Sequence, residues 1–304
     1  MKRKRYLFVV FVLLSLLMVV GVLPRFFSPK DVTFAQSKSL TPDVSQPTYY
    51  GGPVMAGVMH VYAIYWFPND NGANNAYINA INQYYTDVGG SRLYNILAEY
   101  AGNNGSIVSA TLADSWEDMN TPYPCQQPCS LTFQNIENEV QHAISTNHWP
   151  TSGYTNYFPV YTLQGIQIAD PQGDGACGVH WFWGPLDNPT IFAHLAFPSS
   201  QGQGSNLSGC NVNVPTAPSG SPYIDSAINA SAHEQIEAAT DPVGIRTLSW
   251  YVLSGGEIAD VCYTDFGPTP YPYDGGLANQ EWNGHFYIIQ TIDSRSPAGC
   301  LLGP

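Results

Sequence analysis

Apolar positions along the chain change period several times, and each change marks an element. Val58 to Trp66 alternates as a buried strand does. Asn74–Tyr85 and Ser91–Tyr100 have helical spacing, with Ile78, Ile81 and Tyr85 on one face and then Leu93, Ile96 and Leu97. Ile107–Leu112 is strand-like. Ser130 is placed to cap a helix running to about Ser145, whose inner face carries Phe133, Ile136, Val140 and Ile144. Strands are expected at Tyr157–Leu163, Val179–Trp183 and Ile191–Phe197. A Gly/Ser/Pro/Asn-rich loop, Ser199 to Gly220, follows. Ser221-Pro222 opens a further helix, with Ile224, Ile228, Ala232 and Ile236 as its buried stripe, and Asp241-Pro242 stops it. Short strands are expected at Leu248–Leu253, Glu257–Cys262 and His285–Ile292. Strands and helices interleaved in this way predict an α/β domain with a mixed sheet.

The N-terminus lies outside that pattern. Residues 2–5 read KRKR and Tyr6 to Leu23 are apolar but for Ser15, as in a secretory signal, with small residues at Thr33 and Ala35 before a cut. The run is also long enough to span a bilayer, so an N-terminal anchor is the alternative. Both place the domain outside the cell. Residues 1–35 are therefore assigned to the signal peptide or anchor, 36–48 to a polar linker, and 49–304 to one extracellular domain, expected to be a monomer with no membrane contact beyond the leader. Removing the leader leaves 4 basic against 22 acidic residues, a net charge of −18. That charge repels phosphate backbones and excludes nucleic acid as a partner. It also predicts good tolerance of mildly acidic media. Six cysteines in an exported chain read as up to three disulfides, with 15 possible connectivities. Pairing of neighbours, Cys125–Cys129, Cys177–Cys210 and Cys262–Cys300, is the expected connectivity.

Candidate chemistry concentrates in the helix that reads SAHEQIEAATDP. His233 and Glu237 are four apart and project side by side, while Glu234 is turned about 100° round the helix. Two ligands at i and i+4, with a Glu at i+1 to polarise a water, is the arrangement of HExxH zinc enzymes, with Glu237 in place of the second histidine. Glu257 follows 20 residues later in GGEIAD. This segment resembles the thermolysin-like gluzincins. The resemblance implies a zincin-like arrangement around the helix, with Zn²⁺ on His233, Glu237 and Glu257, Glu234 as general base, and Asp260 bonding the far nitrogen of His233. The same residues also suit a polar helix face, or a metal-free acid/base pair of Glu234 with His233.

A broader resemblance covers most of the chain after the leader. The opening YYGGPVMAGVMHVYAIYWFP, the CGVH segment at Cys177 to His180, HEQIEAATDP from His233 to Pro242, Trp250, Glu257 to Cys262, and Trp282-Asn283 with Cys300 are similar to bacterial secreted relatives of the plant EXORDIUM, or phosphate-induced protein 1, family. That resemblance implies a secreted protein acting at the cell exterior and no particular reaction.

Among the other histidines, His180 suits a hydrogen-bonded core place and is also the candidate for a further catalytic group, as an additional ligand or oxyanion donor. His194 and His285 read as structural strand residues. Asp170 to Asp174 reads as a solvated turn with some likeness to a Ca²⁺ loop. Asn206-Leu207-Ser208 fits a glycosylation sequon. No GxSxG, P-loop or GxGxxG occurs, which disfavours serine hydrolases, kinases and dinucleotide enzymes. Two functions are therefore expected. The first is a secreted zinc-dependent hydrolase, peptidase-like, acting on an extracellular peptide. The alternative is a non-catalytic protein that binds a cell-wall polymer or glycan, for which 20 Tyr and 7 Trp would supply stacking surfaces.

Overall fold

The computed structural model describes residues 46–169, 176–198, 218–252, 256–268, 271–273 and 276–303. The leader 1–35, the linker up to residue 45, Asp170 to Asp174, and residues 199–217 of the Gly/Ser-rich loop, with Asn206 and Cys210, lie outside the described residues.

Five strands build one mixed sheet: β1 (Gly57–Trp66), β2 (Ile107–Asp118), β3 (Asn156–Thr162), β4 (Gly178–Trp183) and β5 (Thr190–Leu195), in the order β2-β1-β3-β5-β4. Every pairing is parallel except β4 with β5, so the last edge strand runs against its neighbour. Alternation along β1 sends Met59, Val61, Ala63 and Tyr65 to one face and Ile64 and Trp66 to the other. On the first face lie the helices α1 (Asn75–Asp87) and α4 (Pro222–Thr240), and on the second lies α3 (Phe133–Asn147). Helices on both faces make an α/β architecture, as expected.

Helix boundaries follow local chemistry. Ser91 Oγ accepts from Tyr94 N at 3.0 Å to start α2 (Arg92–Ile96), which tightens into a 3₁₀ turn at Leu97–Glu99. The cap of α3 is Thr132, in a reciprocal capping box with Asn135, and not Ser130. Ser130 belongs instead to the short strand Cys129–Leu131, which pairs with Ile166–Ile168. β2 extends six residues past the expected Leu112, to Asp118, because the whole length of β1 pairs with it.

The C-terminal region departs most from expectation. Glu257–Cys262 is a helical turn, α5 (Ile258–Val261), capped by Glu257, whose carboxylate and that of Asp260 form another capping box. Among the described residues of the expected strand Leu248–Leu253, Trp250–Tyr251 forms a strand whose partner is Thr48–Tyr49, so the end of the linker is part of the fold. The expected strand His285–Ile292 is divided between two hairpins, Gln280–Trp282 with His285–Tyr287 and Ile292–Arg295 with Ala298–Leu301. Asn283 and Gly284 both take positive φ, 51° and 83°, which lets a two-residue turn close the first hairpin.

Disulfides join Cys125 to Cys129 and Cys262 to Cys300, each pair with Cα atoms 5.6 Å apart. Cys177 is also disulfide-bonded, while its expected partner Cys210 lies outside the described residues. Among the described residues no helix is long and apolar enough to cross a membrane.

Candidate metal centre

α4 was expected to bury one stripe, yet from Asp225 to Thr240 all but Asn229 is buried. It is the central helix of the molecule, with the sheet and α1 on one side and α5 and the C-terminal segment on the other. Small residues, Ala227, Ala230, Ser231, Ala232, Ala238 and Ala239, allow that close approach. Its polar groups on the sheet side are met by tyrosines. Tyr84 Oη donates to Gln235 Oε1 at 2.7 Å, and Ser231 Oγ lies 2.7 Å from Tyr161 Oη, itself 2.8 Å from Tyr85 Oη. The tyrosines expected to suit sugar stacking are in large part core: Tyr65, Tyr84, Tyr85, Tyr100, Tyr157 and Tyr161 are fully buried.

His233, Glu234 and Glu237 are each 2% exposed. A solvated polar helix face is thereby excluded. The residues named from the sequence meet in one cluster, and His180 is at its centre. Strand β4 carries His180 on the face towards α4. Its Nδ1 lies 3.5 Å from Glu234 Oε2 and 3.7 Å from Glu237 Oε2, and its Nε2 lies 3.6 Å from Glu257 Oε1. His233 Nε2 lies 3.0 Å from Glu237 Oε1 and 3.5 Å from Asp260 Oδ1. Two trios have ligand atoms that all fall within 4.8 Å of one another: His180, Glu237 and Glu257, and His233, Glu234 and Glu237. Glu237 is common to both, with one oxygen towards each histidine. Glu257 therefore converges with His180, and neither trio joins it to His233.

Glu234 is held by backbone proximity. A Cβ on Gly178 would sit 2.5 Å from Glu234 Cγ and 2.6 Å from its Oε1, so any side chain two residues before His180 would push Glu234 aside. The nitrogen of His233 that faces away from Glu237 is bonded by Gln290 and not by Asp260: Nδ1 lies 3.1 Å from Gln290 Oε1. The Gln290 amide is fixed in turn by donating to Ala259 O at 2.6 Å, so its oxygen accepts from Nδ1–H. Nε2 is then the ring nitrogen that faces Glu237 and Asp260. Asp260 instead bonds the backbone of Glu257, accepting from its N at 3.1 Å. Gln290 and Asp241, whose backbone oxygen lies 3.2 Å from His180 Nε2, had no sequence signal beyond the helix-stopping Asp-Pro.

Electrostatics show what the cluster lacks. Five carboxylates, Glu234, Glu237, Asp241, Glu257 and Asp260, surround two imidazoles, which can balance at most two of those charges. His233 Nε2, Glu237 Oε1 and Asp241 Oδ2 are buried with no properly aligned hydrogen bond. Burial disfavours a charged His180, but Glu257 and Glu234 outweigh it and push the imidazolium up to about 9. His233 is likewise raised despite burial, chiefly by Glu237 and then Asp260. Burial raises Glu237 to about 8 and Asp241 to about 7, partly offset by His233 and by the Ser249 amide respectively. Protons therefore stand where cations would otherwise be needed. The donor set, imidazole nitrogen with carboxylate oxygens, is that of Zn²⁺ and similar divalent ions.

The other histidines are apart from this cluster. His194 is buried in β5 with Nε2 3.0 Å from Thr162 Oγ1, and burial lowers it to about 3, so it is a neutral core residue. His285 Nδ1 lies 2.8 Å from Asp87 Oδ2. No family model matches the chain, and a search of curated proteins finds no match either.

Proposed function

We propose that the chain is an extracellular metal-dependent hydrolase with a zincin-like centre, acting on peptide bonds. One observation carries it: His233 Nε2 and Glu237 Oε1, 3.0 Å apart, are buried without an aligned hydrogen bond, in a cluster with more carboxylates than imidazoles can balance. A divalent cation relieves both deficits. His233 and Glu237 would hold Zn²⁺ from the helix, and Glu257 from the following turn. Bound there, Zn²⁺ supplies Lewis acidity to a scissile carbonyl and acidity to a water.

The chain's own residues divide the remaining work. Glu234, wedged against Gly178, takes the proton of the attacking water and returns it to the leaving amine. His180, held as an imidazolium by Glu234 and Glu257, donates to the carbonyl oxygen as it gains charge. Gln290 keeps the His233 ring turned with Nε2 inward. β4 is the edge strand beside the helix, and an extended peptide adds to such an edge as one more strand. The disulfides Cys125–Cys129 and Cys262–Cys300 fit an exterior location.

One observation favours a second reading, a non-catalytic binding protein whose cation site is closed. His180 is only 7% exposed, and Asp260, at 18%, is the cluster's most open side chain. Glu234→Gln separates the two. The hydrolase loses turnover by about 10²–10⁴-fold on removal of its general base, while Zn²⁺ content and Tm stay near wild type. His233→Ala loses the metal. If Glu234→Gln loses metal as completely as His233→Ala, Glu234 is a ligand and the assignment of a base fails. Absence of stoichiometric Zn²⁺ in the wild-type chain, even after Zn²⁺ addition, refutes both the hydrolase and the closed site.

A further inference from the structure

A separate cluster lies on the other face of the sheet, where α3 crosses the end of β2. Asp118 is the last residue of β2, and Glu139 and His142, three apart on α3, share the helix face turned towards it. His142 Nδ1 lies 3.3 Å from Asp118 Oδ2 and 3.8 Å from Glu139 Oε2, and the ligand atoms of the three fall within 4.8 Å of one another. Asp118 is 1% and Glu139 2% exposed, yet Asp118 Oδ2 and Glu139 Oε1 have no hydrogen-bond partner. A pair of carboxylates brought together out of water is unfavourable unless a positive charge joins them. An imidazolium at His142 would pair with Asp118 Oδ2, supply one charge for two acids and leave Glu139 Oε1 without a bond.

We propose that Asp118, Glu139 and His142 form a divalent transition-metal site, independent of the HExxE cluster. Ligands about 2.0–2.1 Å from a tetrahedral Zn²⁺ lie about 3.3 Å from one another, so these side chains already stand close to that spacing. One imidazole nitrogen with two carboxylate oxygens suits Zn²⁺ or Mn²⁺ and not Ca²⁺, which takes oxygen alone. Asp118 is oriented for the task. Its other oxygen, Oδ1, accepts from the backbone of Asn120 at 2.8 Å and Thr121 at 3.0 Å. Trp116 packs edge-on against the His142 ring, with centroids 5.3 Å apart, and limits its rotation. His142 is 43% exposed, so ions can enter and water can complete the coordination. Three protein ligands with an open position describe a site that can exchange its ion.

The test is a Zn²⁺ titration of the chelator-stripped chain by calorimetry, with bound metal counted after dialysis. The wild type is expected to hold one more equivalent than either His142→Ala or Glu139→Gln, and Zn²⁺ is expected to alter Trp116 emission in the wild type alone. His142 is exposed and Glu139→Gln is isosteric, so at least one variant keeps the fold. His233→Ala is expected to retain this equivalent, which separates the two centres whatever the HExxE cluster holds. If both His142→Ala and Glu139→Gln bind as many equivalents as the wild type, the cluster is an ion pair only and the site does not exist.

Discussion

Chelator-stripped protein should lose stability as pH rises from 5 to 9, and Zn²⁺ should reverse the trend. His180 has its value raised from 6.5 to about 9 by Glu257 and Glu234. A group raised on folding contributes stability that is complete below the unfolded value, 6.5, and lost as pH climbs through about 9. Glu237, raised from 4.5 to about 8, acts in the same direction. The unfolded chain surrenders that proton from pH 4.5 upwards while the folded chain keeps it, so the folded state binds more protons throughout the interval. For scale, His180 alone, at about 1.4 kcal/mol per pKa unit, contributes about 3 kcal/mol. A domain of this size loses about 2–4 °C of Tm per kcal/mol, so Tm should fall by about 6–12 °C. Zn²⁺ competes for the same deprotonated atoms, so its stabilisation should grow over the same range. Thermal unfolding at pH 5, 7 and 9, in chelator and in Zn²⁺, measures both slopes. The formal net charge of −13 also favours acid pH, so Glu237→Gln is the internal control: its slope in chelator should be shallower than that of the wild type. A chelator Tm that is flat or rises with pH, or an identical slope in Glu237→Gln, refutes the reasoning.

Gly178→Ala should displace Glu234, because the new methyl would lie 2.5 Å from its Cγ. The expected cost is about 1–3 kcal/mol with a large loss of turnover, read by denaturant unfolding and peptide cleavage, and an unchanged variant would mean that Glu234 has room to move. Removing the Cys262–Cys300 bond by Cys300→Ser opens a loop closed over 38 residues and should cost about 4 kcal/mol. Cys262 follows Asp260 by two residues, so Zn²⁺ affinity should fall with it, and calorimetry that finds affinity intact would separate the bond from the site.

By itself the sequence determined the elements with strong periodicity: the strand through Val61 and Tyr65, the helix through Ile136 and Val140, and the helix between Pro222 and Asp241. It also singled out His233, Glu234 and Glu237, because i, i+4 spacing fixes which side chains of a helix stand together, and Glu257 through its likeness to the gluzincin segment. Tertiary structure alone decided the rest. Burial of α4 on nearly every side depends on what packs over it, and its small residues, read as one stripe among others, permit contact all round. His180 joins the site from an edge strand more than fifty residues away in sequence, which no local period records. Gln290 replaces Asp260 behind His233 because the turn at Glu257 is helical. There the capping box, formed by the same two carboxylates the sequence offered as ligand and support, overrides the strand pattern of GGEIADVC. Asp118 meets Glu139 and His142 only because β2 runs on past Leu112 to lie under α3. Spacing fixes what one element presents, and pairing and packing choose which elements present it to each other.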